Sequence, residues 1–301
     1  MGEARLIAVD WGTTHVRAWL MDASGELLDQ RRSDAGMGRL VGQHDAFGRA
    51  FDALLAGWPR LPAIACGMVG ARQGWTEATY VEAPTVLTEL AGPLVRVRSP
   101  EGRELAIVAG VAQTDPPDVM RGEETKLLGL VDQLDPAASA FVLMPGTHTK
   151  HATLDGGAIR RFRTVPTGEL FAVLGEHSIL RASFAADDGL DEAAFADGVR
   201  DGSGLAAGEL VAALFGLRAS GLLRATPASA LKGRLSGLLL GAELALVPGD
   251  TSVCLVGDGT VVERYVAAFA ALQRPRPDVR PGEPLVRRGL MRLAAAAGSL
   301  T

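Results

Sequence analysis

Residues 6–15, Leu-Ile-Ala-Val-Asp-Trp-Gly-Thr-Thr-His, decide the fold of this chain. The apolar first half of this segment predicts a strand that ends in Asp10, and Gly12-Thr13-Thr14 predicts a tight turn into a second strand over residues 15–21. A glycine-containing turn, which allows positive φ, then predicts a third strand over residues 26–30. The sequence therefore opens with an antiparallel meander.

The same pattern returns about 134 residues later. An apolar strand leads into Pro145-Gly146-Thr147-His148-Thr149, in which Gly146-Thr147 superposes on Gly12-Thr13. Two further strands, over residues 150–154 and 158–162, complete the second copy. Because one repeat corresponds to one supersecondary unit, the sequence predicts a duplicated domain.

The boundary between the copies is predicted at residues 132–139, where Pro136 interrupts an apolar helical pattern. This gives an N-terminal lobe over residues 1–134 and a C-terminal lobe over 135–301, with the last predicted helix, 285–297, able to pack back on the N-terminal lobe. The other predicted helices cover residues 43–55, 123–134, 168–179, 208–217, 233–245 and 260–272, and further strands cover 63–67, 104–110 and 252–256. This mixture of strands and helices indicates the α/β class.

The composition excludes several classes of function. Of the 301 residues 48% are apolar, and the net charge of −5 offers no overall attraction for nucleic acid. The longest weakly polar run, 235–247, is too short for a hydrocarbon layer of about 30 Å, so no membrane span is expected. The N-terminus lacks the pattern of a secretion signal, which makes the cytoplasm the expected location. Two cysteines far apart, Cys66 and Cys254, cannot form a disulfide framework or a zinc site. The sequence does not decide the oligomeric state, and a homodimer is left open.

The first turn carries the groups that a phosphate chain requires. Gly12, Thr13 and Thr14 offer backbone N–H and hydroxyl donors, and Asp10 offers an oxygen ligand for Mg²⁺, through water. Taken by itself, the same hairpin is equally consistent with an ordinary turn.

The second turn adds hydroxyl, imidazole and ammonium donors. They belong to Thr147, His148, Thr149 and Lys150, next to Gly146. Two such turns facing each other across a cleft would hold a nucleoside triphosphate from both sides. The alternatives are that Lys150 is a solvated lysine and His148 a turn residue.

A loop over residues 67–75 suits a sugar acid. It begins with Gly67 and Met68 and carries Arg72, which could bind a carboxylate through two hydrogen bonds, and Trp75, whose indole face suits a sugar chain. The alternative is a packed loop, with Trp75 in the core and Arg72 in a structural ion pair.

Two helix starts are further candidates. Thr167-Gly168-Glu169 could present N–H groups and a polar side chain to substrate hydroxyls, or Thr167 could simply be an N-cap with Glu169 in the first turn. Gly257-Asp258-Gly259 follows an apolar strand, and its glycines would allow adenine or ribose to approach the backbone.

Together these segments resemble the phosphate-1, phosphate-2 and adenosine segments of the actin-like sugar-kinase superfamily, and more closely the bacterial 2-dehydro-3-deoxygalactonokinases. The resemblance implies a two-lobed, duplicated, ribonuclease H-like ATPase fold with ATP and Mg²⁺ in a cleft between the lobes. It also implies phosphorylation of 2-dehydro-3-deoxy-D-galactonate on its 6-hydroxyl, in galactonate breakdown. The motifs that carry it span nearly the whole chain: 9–14 with 17–19, 67–75, 120–125, 144–150, 167–171 and 235–239.

One departure from the superfamily concerns the catalytic base. Many sugar kinases place an aspartate near the second phosphate turn, whereas Met144 occupies the position that matches Asp10. The adjacent Glu123 and Glu124, which enter a helix after Gly122, are therefore the candidate bases, and a similar pair in exopolyphosphatases looks like the site that positions water. Neighbouring helical residues point about 100° apart, so only one of the two can reach a given atom. Both could instead only favour the helix dipole.

Three alternative functions stay open at this stage. The first is a phosphohydrolase of the exopolyphosphatase type, and the second is a kinase for the gluconate epimer. The third is a nucleotide-dependent regulatory protein that binds ATP without turnover.

Overall fold

The three predicted N-terminal strands form an antiparallel meander. A computed structural model of the chain describes residues 2–43, 45–135, 138–184, 189–249 and 251–299. Strands β1 (Ala4–Trp11), β2 (Val16–Asp22) and β3 (Leu27–Ser33) pair in sequence. Strands β1 and β2 are apolar and buried, whereas β3 is polar, and this composition agrees with the position of β3 at the edge of the sheet.

Packing divides the described chain into two compact units. The first contains residues 1–140, 152–162 and 281–301, and the second contains residues 141–151 and 163–280. The lobes 1–134 and 135–301 stay a prediction. Pro136, in the predicted boundary, lies outside the described residues.

The first unit is built on a six-stranded sheet in the order β3-β2-β1-β4-β8-β7. Strands β4 (Ala63–Gly67) and β8 (Glu104–Ile107) run parallel to β1, and β7 (Val95–Arg98) is antiparallel to β8. Helices α1 (Met37–Leu40) and α2 (Ala46–Leu54) follow the meander. The core beside this sheet is aromatic, because Trp11, Phe47 and Phe51 are all buried.

Smaller elements complete the first unit. A three-stranded sheet contains β5 (Tyr80–Glu82), β9 (Gly110–Gln113) and β10 (Asp118–Met120), and the short strand β6 (Thr85–Val86) pairs with Ala158 and Ile159. Helix α3 (Glu123–Leu130) packs against the C-terminal helix α10 (Gly282–Ala296). Arg292 of α10 donates to the carbonyl oxygen of Leu128 at 2.9 Å.

The second unit contains the second predicted meander. Its sheet follows the order β15-β14-β11-β12-β13, and the hairpin end of β12 and β13, residues 152–162, belongs to the first unit. The strands are β11 (Ser139–Met144), β12 (Thr149–Asp155), β13 (Ala158–Val165), β14 (Val253–Val256) and β15 (Asp278–Arg280). The helices are α4 (Thr167–His177), α5 (Arg181–Phe184), α6 (Glu192–Gly204), α7 (Ala207–Arg224), α8 (Ala228–Leu244) and α9 (Thr260–Ala271).

Helix α6 is the main element that the sequence did not predict. Glycines give it a low helical propensity, but they allow a close crossing with α8. A Cβ placed on Gly198 would lie 2.6 Å from the carbonyl oxygen of Arg234, and Gly237 of α8 faces the same crossing. No helix in the described ranges is long and apolar enough to span a bilayer.

Candidate active site

Asp10 lies at the carboxyl end of β1, and its position follows from the hairpin register. Because Gly12 donates to the carbonyl oxygen of His15 at 2.9 Å, Asp10 stands directly opposite Arg17 on β2. Arg17 Nη2 donates to Asp10 Oδ2 at 2.6 Å, and Arg17 Nη1 reaches Oε2 of Glu283 on α10 at 3.2 Å. The Asp10 side chain is 18% exposed, so the carboxylate is oriented by the arginine while still open to solvent.

The turn at residues 12–14 is hydrogen-bonded to the start of helix α1. Met37 and Gly38 donate their backbone N–H groups to the carbonyl oxygens of Gly12 and Thr13, at 3.0 and 2.9 Å. The side chains of Thr13 and Thr14 are exposed. The carbonyl groups are thus paired with protein, and the hydroxyl groups face solvent.

Two glycines bring β4 and α3 next to Asp10. Gly67, which ends β4, has a φ of 91°, and a Cβ there would lie 2.7 Å from the carbonyl oxygen of Trp11. Gly122, which precedes α3, has a φ of 105°, and a Cβ there would lie 3.3 Å from the Gly67 Cα. Only glycine combines such φ values with so close an approach. The start of α3 therefore lies close to the end of β1.

The electrostatics of Cys66 report the same proximity. Burial, followed by the negative charges of Asp10 and Glu124, raises the pKa of the Cys66 thiol well above its usual value. A buried thiol with a raised pKa is a neutral packing group. The distance from Cys66 Sγ to Asp10 Oδ1 is 4.0 Å, which places the thiol beside the Asp10 carboxylate.

Glu123 and Glu124 differ in exposure. Glu124 is fully buried, and its oxygens accept hydrogen bonds from the Gly122 N–H at 2.6 Å and the Thr125 hydroxyl at 3.1 Å. Burial, followed by repulsion from Glu123, raises the pKa of Glu124 to about 7. Glu123 is partly exposed and accepts from the backbone N–H of Arg121 at 3.1 Å. The two side chains point in different directions, as adjacent helical positions require.

The 67–75 loop places Trp75 and Arg72 in different environments. The Trp75 indole packs edge-on against Trp11 and Phe51, with ring centroids at 6.4 and 5.8 Å, so it lies against the core. Arg72 is exposed and has no carboxylate within 4 Å among the described residues. Met68, at the start of the loop, is partly buried against the same core.

Arg121 is a partly buried cation to which the sequence assigned no role. Its guanidinium lies over the Tyr80 ring, 4.3 Å from the centroid, and Nη2 donates to the carbonyl oxygen of Ala78 at 2.7 Å. Nε and Nη1 have no hydrogen-bond partner in the structure. Arg121, two residues before Glu123, therefore anchors the chain that leads into α3 against Tyr80 and the Ala78 carbonyl group.

In the second unit, the turn at residues 145–148 docks on the start of α4. The backbone N–H of Glu169 donates to the carbonyl oxygen of Thr147 at 3.0 Å, and the His148 ring Nε2 lies 2.9 Å from Glu169 Oε2. A Cβ on Gly168 would lie 2.6 Å from the carbonyl oxygen of Gly146. The structure thus joins two predicted segments, the second Gly-Thr turn and residues 167–169, into one cluster.

Two side chains next to this turn are buried, and the position of Thr167 in α4 is also settled. The Thr149 side chain is fully buried, with its hydroxyl 2.7 Å from that of Tyr265. Lys150 is 7% exposed and its Nζ donates to Thr164 Oγ1 at 2.7 Å, so the alternative of a solvated lysine is wrong. Thr167 is the first residue of α4 and the N-cap is Pro166, so the alternative in which Thr167 caps the helix is also wrong.

The third predicted segment connects β14 to α9. Gly257 donates its N–H to the carbonyl oxygen of Arg280 at 3.0 Å, and Gly259 is the N-cap of α9, with a φ of 71°. Asp258 between them is exposed. The backbone is therefore open at a strand end, as close approach of a ligand requires.

The residues near Asp10 fit a magnesium ion that is held mainly by water and phosphate better than a metal ion with only protein ligands. Among residues 2–43, 45–135, 138–184, 189–249 and 251–299, no group of three or more His, Cys, Asp or Glu side chains could hold an ion. Magnesium is commonly held by one or two carboxylates together with water and substrate phosphates. Asp10 fits that pattern, because its carboxylate is still 18% exposed although Arg17 donates to Oδ2 and the Cys66 Sγ lies 4.0 Å from Oδ1.

Comparison with known proteins decides the family. The family model described as 2-keto-3-deoxy-galactonokinase matches residues 10–293, nearly the whole chain. The chain belongs to this kinase family. The resemblance predicted from the sequence motifs is therefore confirmed.

Two relatives of the 2-keto-3-deoxy-galactonokinase family match along most of their lengths. One is DgoK1 of Rhizobium meliloti (strain 1021), a probable 2-dehydro-3-deoxygalactonokinase, at 40% identity over 305 residues, which cover 96% of each chain. The other is the 2-dehydro-3-deoxygalactonokinase of Escherichia coli (strain K12), at 36% identity over 277 residues, which cover 89% of this chain and 90% of the relative.

Solved structures confirm the fold that the family implies. The crystal structure of a Sinorhizobium meliloti protein with the 2-dehydro-3-deoxygalactonokinase designation matches with a TM-score of 0.88 and 39% identity, over 97% of this chain and 98% of that one. Component A of the (R)-2-hydroxyglutaryl-CoA dehydratase of Acidaminococcus fermentans matches with a TM-score of 0.51 and 12% identity, over 99% and 100% of the chains, and shows the fold alone. The predicted actin-like α/β fold is confirmed.

Proposed function

We propose that this chain transfers the γ-phosphoryl group of ATP to the 6-hydroxyl of 2-dehydro-3-deoxy-D-galactonate, giving the 6-phosphate and ADP in galactonate breakdown. The observation that carries the proposal is the Asp10 carboxylate, oriented by Arg17 at the end of β1 in a chain whose residues 10–293 match the kinase family. ATP as the donor also makes the cytoplasm the proposed location.

The first turn binds phosphate and metal in this proposal. Thr13 and Thr14 donate hydroxyl groups to phosphate oxygens, and Gly12 allows the chain to approach them. Asp10 would hold hydrated Mg²⁺ through its partly exposed carboxylate. Bound Mg²⁺ would offset the negative charge on the phosphate oxygens.

The exposed member of the glutamate pair is the base. A general base must come within hydrogen-bonding distance of the proton that it removes. Glu124 is fully buried, and its oxygens are occupied by Gly122 and Thr125. Glu123 is partly exposed, so it accepts the proton of the sugar hydroxyl, while Glu124 holds the turn that precedes α3.

The sugar acid is recognised by the 67–75 loop. Arg72 is exposed with no ion-pair partner among the described residues, so its guanidinium binds the substrate carboxylate. Gly67 and Met68 line the approach to Asp10, and Trp75 supports the loop from the core side. Thr167 and Glu169, at the start of α4, complete the proposed substrate residues.

The remaining nucleotide contacts come from the second unit. Gly146, Thr147 and His148 donate backbone and imidazole groups to the phosphate chain, and Lys150 supplies positive charge behind them. The Thr149 hydroxyl is occupied by Tyr265, so Thr149 contributes its backbone. Residues 257–259 lie against the adenosine.

The reaction is an in-line displacement at phosphorus. The bond between the 6-oxygen and the γ-phosphorus forms as the bond from the γ-phosphorus to the bridging β–γ oxygen breaks, and the hydroxyl proton passes to Glu123. The protein contributes position and charge, because the transition state is largely dissociative and needs little covalent help. Arg72 orients the acceptor by its carboxylate end and so fixes which hydroxyl reaches the phosphorus.

A panel assay tests this proposal. Purified protein with ATP and Mg²⁺ is assayed for ADP with 2-dehydro-3-deoxy-galactonate, with the gluconate epimer and with no acceptor. Of these three conditions, the proposal predicts rapid ADP release only in the one that contains 2-dehydro-3-deoxy-galactonate. A preference for the epimer would reassign the substrate, and rapid phosphate release without acceptor would identify a hydrolase of the exopolyphosphatase type. ATP binding without turnover on either acid would identify a regulatory protein.

A further inference from the structure

Glu243 carries a carboxylate in the interior of the second unit and has no role in the proposed reaction. It lies near the end of α8, and its side chain is fully buried. A buried carboxylate is costly unless several hydrogen bonds replace its lost hydration. Three donors do so here: the ring of His151 at 3.0 Å from Oε1, the hydroxyl of Tyr265 at 2.8 Å from Oε1, and the hydroxyl of Thr167 at Oε2.

The direction of each hydrogen bond follows from the chemistry of the groups. Tyr265 and Thr167 each donate their single hydroxyl proton to the carboxyl oxygens of Glu243. Because the Tyr265 proton is used in this way, the Thr149 hydroxyl donates to the Tyr265 oxygen across 2.7 Å. Burial and the Glu243 charge both raise the pKa of Tyr265, which keeps the phenol protonated. The result is one directed chain from Thr149 through Tyr265 to Glu243.

The two ends of this chain lie in the proposed nucleotide and substrate segments. Thr149 immediately follows the turn at residues 145–148, and Thr167 begins α4. These segments also touch directly, because the N–H of Glu169 donates to the carbonyl oxygen of Thr147 at 3.0 Å. His151 lies two residues beyond Thr149 on the same face of β12, so the strand is held at two successive inward positions.

We propose that Glu243, Tyr265 and His151 are positioning residues that hold the 145–148 turn and the start of α4 in the geometry that binds ATP and the sugar acid. None of them contacts either substrate. The effect of these three residues on turnover rests on the proposed kinase function. Their effect on the order of the 145–148 turn and of the start of α4 does not. Directional hydrogen bonds fix these segments more closely than apolar packing would, and a displacement of about 1 Å at a reacting centre costs on the order of 100-fold in rate.

The test is Tyr265→Phe, which keeps the ring and removes the hydroxyl between Thr149 and Glu243. The matched control is Tyr80→Phe, because Tyr80 is the other tyrosine of the sequence and lies in the first unit. The measurements are Tm, ATP affinity by calorimetry with Mg²⁺ and no sugar acid, amide hydrogen exchange over residues 145–150 and 167–171, and kcat with KM for both substrates.

Tyr265→Phe is expected to weaken ATP binding about tenfold, to lower kcat at least tenfold and to speed exchange in both segments about tenfold. Its Tm should fall by only a few degrees, and Tyr80→Phe should change none of these values. His151→Gln, which keeps a nitrogen donor toward Glu243, should retain most of the activity that His151→Leu loses. That rescue would not be expected if His151 only filled space.

Two outcomes would overturn the positioning role. One is a Tyr265→Phe protein with a lower Tm but unchanged ATP affinity, exchange and kinetics, and the other is equal loss in Tyr80→Phe. Failure of the kinase proposal is distinguishable, because a wild-type protein that forms no ADP with the sugar acid would leave the binding and exchange comparisons as the test of the network.

Discussion

Arg17 and Asp10 stand directly opposite each other on the first hairpin, and Arg17 Nη2 donates to Asp10 Oδ2 at 2.6 Å. The same guanidinium reaches Glu283 at the start of the C-terminal helix. The carboxylate proposed to face the metal is therefore fixed by a residue seven positions later in the sequence. The charge of Asp10 and its orientation by Arg17 can therefore be tested with separate substitutions.

Asp10→Asn should lower kcat by two orders of magnitude or more, because an amide cannot supply the anionic oxygen that a hydrated cation requires. The Tm should change by only a few degrees, since the side chain is isosteric. Kinetics at saturating ATP, together with a melting curve, measure both. Near-normal turnover would remove Asp10 from the mechanism.

Arg17→Ala should lower kcat about tenfold, because Asp10 keeps its charge but loses its orientation. The pair is partly exposed, so the effect on stability should be small, about 1 kcal/mol or less. Arg5→Ala on the neighbouring strand β1 is the control, because Arg5 is exposed and pairs with the exposed Glu3. Equal activity of the two variants would contradict the orienting role.

Glu123→Gln should lower kcat by about 100-fold or more with little change in KM, which is the loss expected for a general base. Glu124→Gln should retain much more activity, because Glu124 is buried and holds the Gly122 turn. Steady-state kinetics of both variants at one pH make the comparison. The reverse order of effects would assign the base to Glu124.

Glu124 should also make stability depend on pH. The usual pKa is 4.5 and the folded value is about 7, so between these values the unfolded chain has lost a proton that the folded chain keeps. The contribution of this group to the free energy of unfolding therefore falls as pH rises from 4.5 to 7 and is constant above, with a total of about 3 kcal/mol. Urea unfolding of wild type and Glu124→Gln from pH 5 to 8 should show the difference between them changing in that window. A constant difference would mean that the pKa is not raised.

Arg72→Ala should raise KM for the sugar acid at least tenfold and leave KM for ATP nearly unchanged, because the proposed contact is with the substrate carboxylate. Arg49→Ala, an exposed arginine on α2, is the control. Initial rates with each substrate varied in turn give both constants. A defect confined to ATP would move Arg72 to the nucleotide side.

Gly168→Ala tests the docking of the second turn on α4, since the added Cβ would lie 2.6 Å from the carbonyl oxygen of Gly146. ATP affinity should fall about tenfold and Tm should drop. Gly208 occupies the same second position of α7 with no atom within 4 Å, so Gly208→Ala should be neutral or stabilising by up to about 1 kcal/mol. Calorimetry and melting curves compare the pair, and equal behaviour would contradict the docking.

The sequence predicted both meanders because Gly-Thr turns between alternating apolar runs are local signals. It did not predict α6, because glycines that permit the close crossing with α8 also lower helical propensity. The inward direction of Thr149 and the buried network around Glu243 depend on contacts between residues up to 116 positions apart, which no local pattern encodes. The Arg17 partner of Asp10, in contrast, follows from the hairpin register and could have been predicted. The roles of the site residues stay predictions.

Product stoichiometry distinguishes phosphoryl transfer to the sugar acid from hydrolysis of ATP in a single sample. Protein, Mg²⁺, ATP and 2-dehydro-3-deoxy-galactonate are incubated, and ³¹P NMR measures ADP, free phosphate and phosphate ester in one sample. Phosphoryl transfer predicts one ester, bound at the 6-oxygen, for each ADP, with almost no free phosphate. Free phosphate equal to ADP, with no ester, would contradict it.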